Sequence, residues 1–144
     1  MKKFNADLYK VRAKVVGGEK ADKWEKGFVL TVNGEPIIST DKIYPIDGST
    51  ICRPTGKTDS FRTAVYEYDV IESVTVADGK KIVERYLVVW DNDLGGYVLI
   101  SEGGDKCEFD TVGDRLGAGD TDERLFSAID HPEGLTGAQR EYLK

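Results

Sequence analysis

The chain has 144 residues, 40% hydrophobic and 32% charged, with 16 glycines and a formal net charge of -6. This balance lies inside the globular range and away from disordered or collagen-like compositions, and the length suits one domain with one core. Residues 1–100 hold 15 Lys and Arg against 15 Asp and Glu, whereas residues 101–144 hold 5 against 11. The acidity therefore sits in the tail, which excludes a generic basic footprint for nucleic acid or an anionic membrane.

The first segment, with Lys2 and Lys3, has no apolar run behind it, so neither a signal peptide nor a membrane span is expected, and a cytoplasmic location is. From Tyr9 to Val15 apolar residues alternate with Lys10, Arg12 and Lys14, the period of a half-buried strand. Trp24 to Val32 reads as a second strand, closed by Asn33-Gly34, a pair suited to the positive-φ positions of a hairpin turn, with Ile37-Ile38 returning after Pro36. Residues 43–51 are broken by Pro45 and Asp47-Gly48 into short extended pieces. Val65 to Val76 and Ile82 to Trp90 are rich in Val, Ile and Tyr and meet at Asp78-Gly79, a strong hairpin signal. Tyr97 to Ile100 follows as another strand. Beyond Ser101 the spacing of Asp120 and Glu123 predicts a helix to about Ile129, and Thr136-x-x-Gln139 predicts another to Leu143.

Four pieces recur in a recognisable order. They are Val11-Arg12-Ala13-Lys14; Trp24 with Gly27 and Phe28; a Thr55-Gly56…Asp59 turn leading to Val65-Tyr66-Glu67-x-Asp69-Val70-Ile71; and Val88-Val89-Trp90-Asp91 with Val112-Gly113-Asp114. Over residues 8–115 this order resembles the YopX-like family of phage and prophage proteins. Three positions depart from the family pattern: Lys57 in place of Leu, Phe61-Arg62 in place of Asn-Gly, and Tyr68 in place of Gly. The resemblance implies a mainly β domain over 1–116, a small bent sheet or partly closed barrel of antiparallel strands. Residues 117–144 would form an acidic C-terminal helical extension, packed on that domain or fraying from it. It also implies a phage origin and transfers no catalytic residues, since the family has no established activity.

Candidate chemistry is sparse. Asp91 to Glu102 places Asp at positions one and three, Gly at six and Glu at twelve of a calcium loop, but Gly95 stands at five and strand-formers precede it, which favours a β-turn. Gly56-Lys57-Thr58 lacks the upstream glycine and following helix of a phosphate loop. His131 is the only imidazole, and Cys52 and Cys107 form no metal-binding or redox pattern. Glu67 and Asp69 stand two apart on a strand, and one or the other is read as an acceptor of hydrogen bonds from the Thr55–Asp59 turn, with paired-carboxylate hydrolysis as a competing reading.

The residues therefore point to Thr55, Gly56, Asp59, Tyr66, Glu67 and Asp69 as a structural or binding signature. Tyr9, Lys10, Arg12, Lys14 and Trp24 form an alternative basic-aromatic surface for nucleic acid. No catalytic centre, cofactor or metal is expected. The expected partner is a host or phage protein or further copies of the chain.

Overall fold

Alternation and turn chemistry decide most of the architecture. The structure, a computed structural model, describes residues 9–110, 112–113 and 119–143. Eleven strands are present among these residues, all pairings between strands of the two larger sheets are antiparallel, and the one α-helix is a single turn, Gly137–Arg140. The mainly β expectation holds. No described helix is long and apolar enough to cross a membrane.

The chain divides into two compact units, Met1–Pro54 and Thr55–Lys144. The first unit is a meander of β1 (Val11–Lys14), β2 (Trp24–Val32), β3 (Glu35–Ser39) and β4 (Ile43–Pro45). Asn33 and Gly34 take φ of 51° and 80°, the paired left-handed conformation predicted for the β2–β3 turn. Residues after β4 return to β1 through the bridges Val15↔Ile46 and Arg12↔Cys52, so this sheet is a partly closed barrel. Its core is small: Ala13, Ile38 and Ile46, with Val29, Tyr44 and Ile51 packed against them.

The second unit holds the hairpin β5 (Pro54–Thr58) and β6 (Ala64–Tyr66), followed by a five-stranded sheet. That sheet comprises β7 (Asp69–Ala77), β8 (Lys80–Asp91), β9 (Gly96–Ile100), β10 (Lys106–Glu108) and β11 (Thr121–Ser127), in the order β10-β9-β8-β7-β11. Asp78 and Gly79, at φ of 52° and 74°, make the predicted β7–β8 turn. The central part of the sheet is buried on both faces, while the β7–β8 hairpin end, with Val76, Ile82 and Val83, is exposed. Val70, Leu87, Val89, Val98 and Ile100 meet Ala128, Leu135 and the C-terminal residues Tyr142 and Leu143 on one side, and Ile71, Val88 and Leu99 meet Val65, Phe109 and Val112 on the other.

Two expectations are corrected. The helix predicted from Asp120 is strand β11, because β7 offers a free edge and Asp120 spends its carboxylate on the Val76 amide across the strands (2.9 Å) instead of capping a helix. The register slips between Arg124 and Phe126, and this bulge turns Phe126 toward the Val70–Leu87 core. The strand predicted from Val65 to Val76 is interrupted at Glu67 and Tyr68, a turn between β6 and β7. The last predicted helix is present as α1 (Gly137–Arg140) with its Thr136–Gln139 capping box, continued by a 3-10 turn to Leu143. The tail is docked.

Candidate functional site

The signature segment folds around carboxylates that bind backbone. Asp59 is buried, and its Oδ1 accepts the amides of Phe61 (2.8 Å) and Thr63 (2.9 Å) while its Oδ2 accepts that of Arg124 (2.8 Å). Ser60 completes the contact: its amide donates to the Asp122 carbonyl and its hydroxyl accepts the Asp122 amide, both at 2.8 Å. Asp122 and Arg124 lie on β11, the outermost strand of the sheet beside β7. The Asp59–Ser60 turn therefore satisfies the row of backbone groups that β11 turns away from β7, and closes an edge that would otherwise be a template for another strand.

The remaining signature residues support this latch. Thr55 donates its hydroxyl to the Val65 carbonyl (2.8 Å), and Gly56 takes φ of 82° within β5. Gly113, at φ 78°, donates to Asp122 Oδ2, and a Cβ there would lie 2.3 Å from the Thr58 carbonyl, so only glycine permits this approach. Asp69, fully buried, accepts the Tyr66 amide (2.8 Å) and stands 3.3 Å from Arg124 Nε.

The expectation that Glu67 and Asp69 lie two apart on one continuous strand is overturned by the turn at residues 67–68. Glu67 and Asp69 are both buried, and Asp69 takes its backbone amide from Tyr66 rather than from the Thr55–Asp59 turn.

Arg62 and Tyr68 both hold φ of 66°, and Lys57 reaches the Asp110 carbonyl with its ammonium 5.9 Å from the centre of the Phe109 ring. A side chain in the left-handed region costs roughly 1–2 kcal/mol, partly offset by the greater entropy glycine loses on folding. Arg62 is exposed, so Arg62→Gly is expected to raise stability by about 0.5–1 kcal/mol, read as a higher urea midpoint with unchanged slope.

The basic-aromatic set is brought together only in part. Cross-strand pairing puts Lys14 opposite Trp24 and Arg12 opposite Lys26, and the Arg12 guanidinium and Lys14 ammonium lie 4.6 and 5.4 Å from the centre of the Trp24 ring. Arg12 is buried, so its charge serves packing on the indole and not a phosphate. Tyr9 is exposed and precedes β1. Lys2 and Lys3 lie outside the described residues, as does Asp114.

The same sheet face carries a feature that alternation analysis missed. Phe28, Leu30 and Val32 point outward from β2 and are 61%, 53% and 50% exposed, and Ile43 of β4 is 66% exposed. Leu30 pairs with Ile37 and Phe28 with Ser39, which in turn pairs with Ile43, so these side chains form one apolar patch. The signal was available: Phe28, Leu30 and Val32 are apolar at one strand parity while Val29 already supplies the inward side at the other, more than a small barrel can bury.

Other motifs resolve into local structure. The Asp91–Gly96 segment is a β8–β9 turn: Asp91 accepts the Asp93 and Leu94 amides and pairs with Lys106 at 2.8 Å, while Glu102 accepts the Arg85 amide. An ammonium already occupies the carboxylate that a calcium ion would need. Lys106 holds the Asp91 carboxyl below the usual carboxylate range; burial opposes this, and the two amides add to it. The stabilisation is thus present above the unfolded-state pKa and lost as pH falls through the lower folded value. Asp91→Asn is expected to lower the urea midpoint at neutral pH, by a difference that shrinks as pH falls through the folded-state pKa of Asp91.

Gly56-Lys57-Thr58 lies within strand β5, and exposed His131 pairs with Glu133 at 3.1 Å. Among the described residues no cluster of three metal-binding side chains occurs. An open cavity of about 550 Å³ is lined by Val15, Val16, Lys20, Lys42, Tyr44 and Pro45, and Lys20 is already bound to Glu25 at 2.6 Å.

Compared with known proteins, the chain matches no family model, no curated protein and no solved structure.

Proposed function

We propose that the chain is a non-enzymatic interaction protein of phage or prophage type, working in the bacterial cytoplasm by binding another polypeptide through the outer face of β2, β3 and β4. The observation that carries this reading is the apolar patch of Phe28, Leu30, Val32 and Ile43, each half or more exposed. Contiguous apolar surface of this kind is costly to leave in water and marks association sites. Two further points support it. Asp69, one of the two carboxylates a hydrolase would use, is buried and accepts the Tyr66 amide, and Arg62 and Tyr68 hold the positive φ that suits the glycines of the YopX-like pattern.

The test is affinity capture with the tagged full chain, comparing wild type with a Phe28→Ser/Leu30→Lys variant. A specific bound polypeptide, retained by wild type and lost with the variant, is expected. Equal eluates from both, or empty eluates from a chain that is also monomeric, would refute the reading. Salt-sensitive binding of DNA or RNA lost on substitution of Lys10 and Lys14 would instead favour the nucleic-acid alternative.

A further inference from the structure

The polypeptide that fits this patch is identified by how its charges are arranged. Along β2 the outward positions run Lys26, Phe28, Leu30, Val32, and the register pairs Val32 with Glu35 and Lys26 with Arg12. One end of the patch is therefore basic and the other acidic, with apolar residues between. The ends lie six residues apart, roughly 20 Å at strand spacing.

Such a surface is complementary to itself. When two copies stack face to face with β2 strands antiparallel and centred at the level of Val29, Phe28 of one meets Leu30 of the other. Lys26 then falls at the level of Val32, beside Glu35. Each end then meets the opposite charge at once through the two-fold symmetry, as an isologous contact requires.

We propose that the outer β2–β3–β4 face is the contact of a homodimer, with Lys26 of each copy pairing with Glu35 of the other across an apolar centre of Phe28, Leu30, Val32 and Ile43. This rests on the interaction reading above and names its partner. The area is sufficient: about half of four large apolar residues exposes on the order of 400 Å², near the apolar share of a standard interface of roughly 800 Å² per partner. Parallel stacking of two such faces would set like charges against each other at both ends, so the antiparallel arrangement is the one favoured.

Sedimentation equilibrium of the full chain tests this, with far-UV circular dichroism confirming that each variant is folded. Wild type is expected to dimerise reversibly near micromolar concentration, and Leu30→Lys to weaken dimerisation by at least about 100-fold. Lys26→Glu and Glu35→Lys singly are expected to weaken it about tenfold or more, and the double charge swap to return it close to wild type. Within one chain the two residues are too far apart to compensate each other, so rescue reports a contact between copies. A monomer up to about 0.5 mM, a dimer indifferent to Leu30→Lys, or singles that dissociate without rescue by the swap would each overturn the proposal. If the chain is monomeric but still retains a foreign polypeptide that Leu30→Lys releases, the self-association fails and the interaction reading stands. If nothing is retained, both fail.

Discussion

Asp59→Ala is expected to destabilise the second unit by about 4 kcal/mol, a large part of the 5–15 kcal/mol that holds a typical domain together. One carboxylate serves three amides, and those of Phe61 and Thr63 shape the turn while that of Arg124 belongs to another strand. The loss is put below three full unsatisfied-amide penalties because Phe61 and Thr63 are exposed and their amides regain water. Asp59→Asn is expected to cost about half as much: the side-chain oxygen keeps two amides, but an NH2 group then faces the Arg124 amide. Both values follow from urea unfolding. The alanine variant should also self-associate more on standing, because uncovering β11 exposes an unpaired strand edge.

Gln139→Ala carries the second largest expected effect, about 3 kcal/mol. The β8–β9 ladder ends at Leu87 and Ile100, and beyond it the strands part. Gln139, buried, fills the opening: its Nε2 donates to the Ile100 carbonyl (3.0 Å) and the Arg85 carbonyl (3.3 Å), and its Oε1 accepts the Thr136 amide (3.1 Å). A helix this short has no stability of its own, so docking depends on this side chain and on Leu135, Tyr142 and Leu143. The variant should therefore expose the sheet face of Val70, Leu87, Val89 and Ile100, and limited proteolysis should cut the tail before the sheet unfolds.

Local chemistry was legible in the sequence and long-range pairing was not. Asn33-Gly34 and Asp78-Gly79 declare their hairpins because few other residues accept two successive positive φ angles, and Thr136 with Gln139 declares its cap through reciprocal bonding three residues apart. Asp120-x-x-Glu123 carries a similar helix signal and forms a strand. Its fate depends on an open edge of β7 some 44 residues earlier, and no local pattern records that. Glu67 and Tyr68 mislead for a related reason: Tyr at a positive φ hides a turn that glycine would have announced. At the site, Asp59 and Asp69 stand out in sequence as members of a motif. Arg124, which both contact, and the neighbouring Ser60–Asp122 pair do not, because contact across about 60 residues leaves no spacing to read. The outward apolar patch was present in the composition of β2 but reads as ordinary core until the small size of its barrel is known.

These observations divide the molecule's residues by role. The motif from Thr55 to Asp69 closes the edge of the larger sheet, and the outer face of the first unit is the surface we propose for recognition. The most direct measurement is amide hydrogen exchange at Asp122 and Arg124, the two edge positions held by Ser60 and Asp59. In wild type these amides should exchange as slowly as those of the central strands β7 and β8, and in Asp59→Ala the Arg124 amide should exchange at the rate of an open edge. Rapid exchange at both positions in wild type, or slow exchange at Arg124 that survives loss of the Asp59 carboxylate, would contradict the assignment of this segment as the latch on β11.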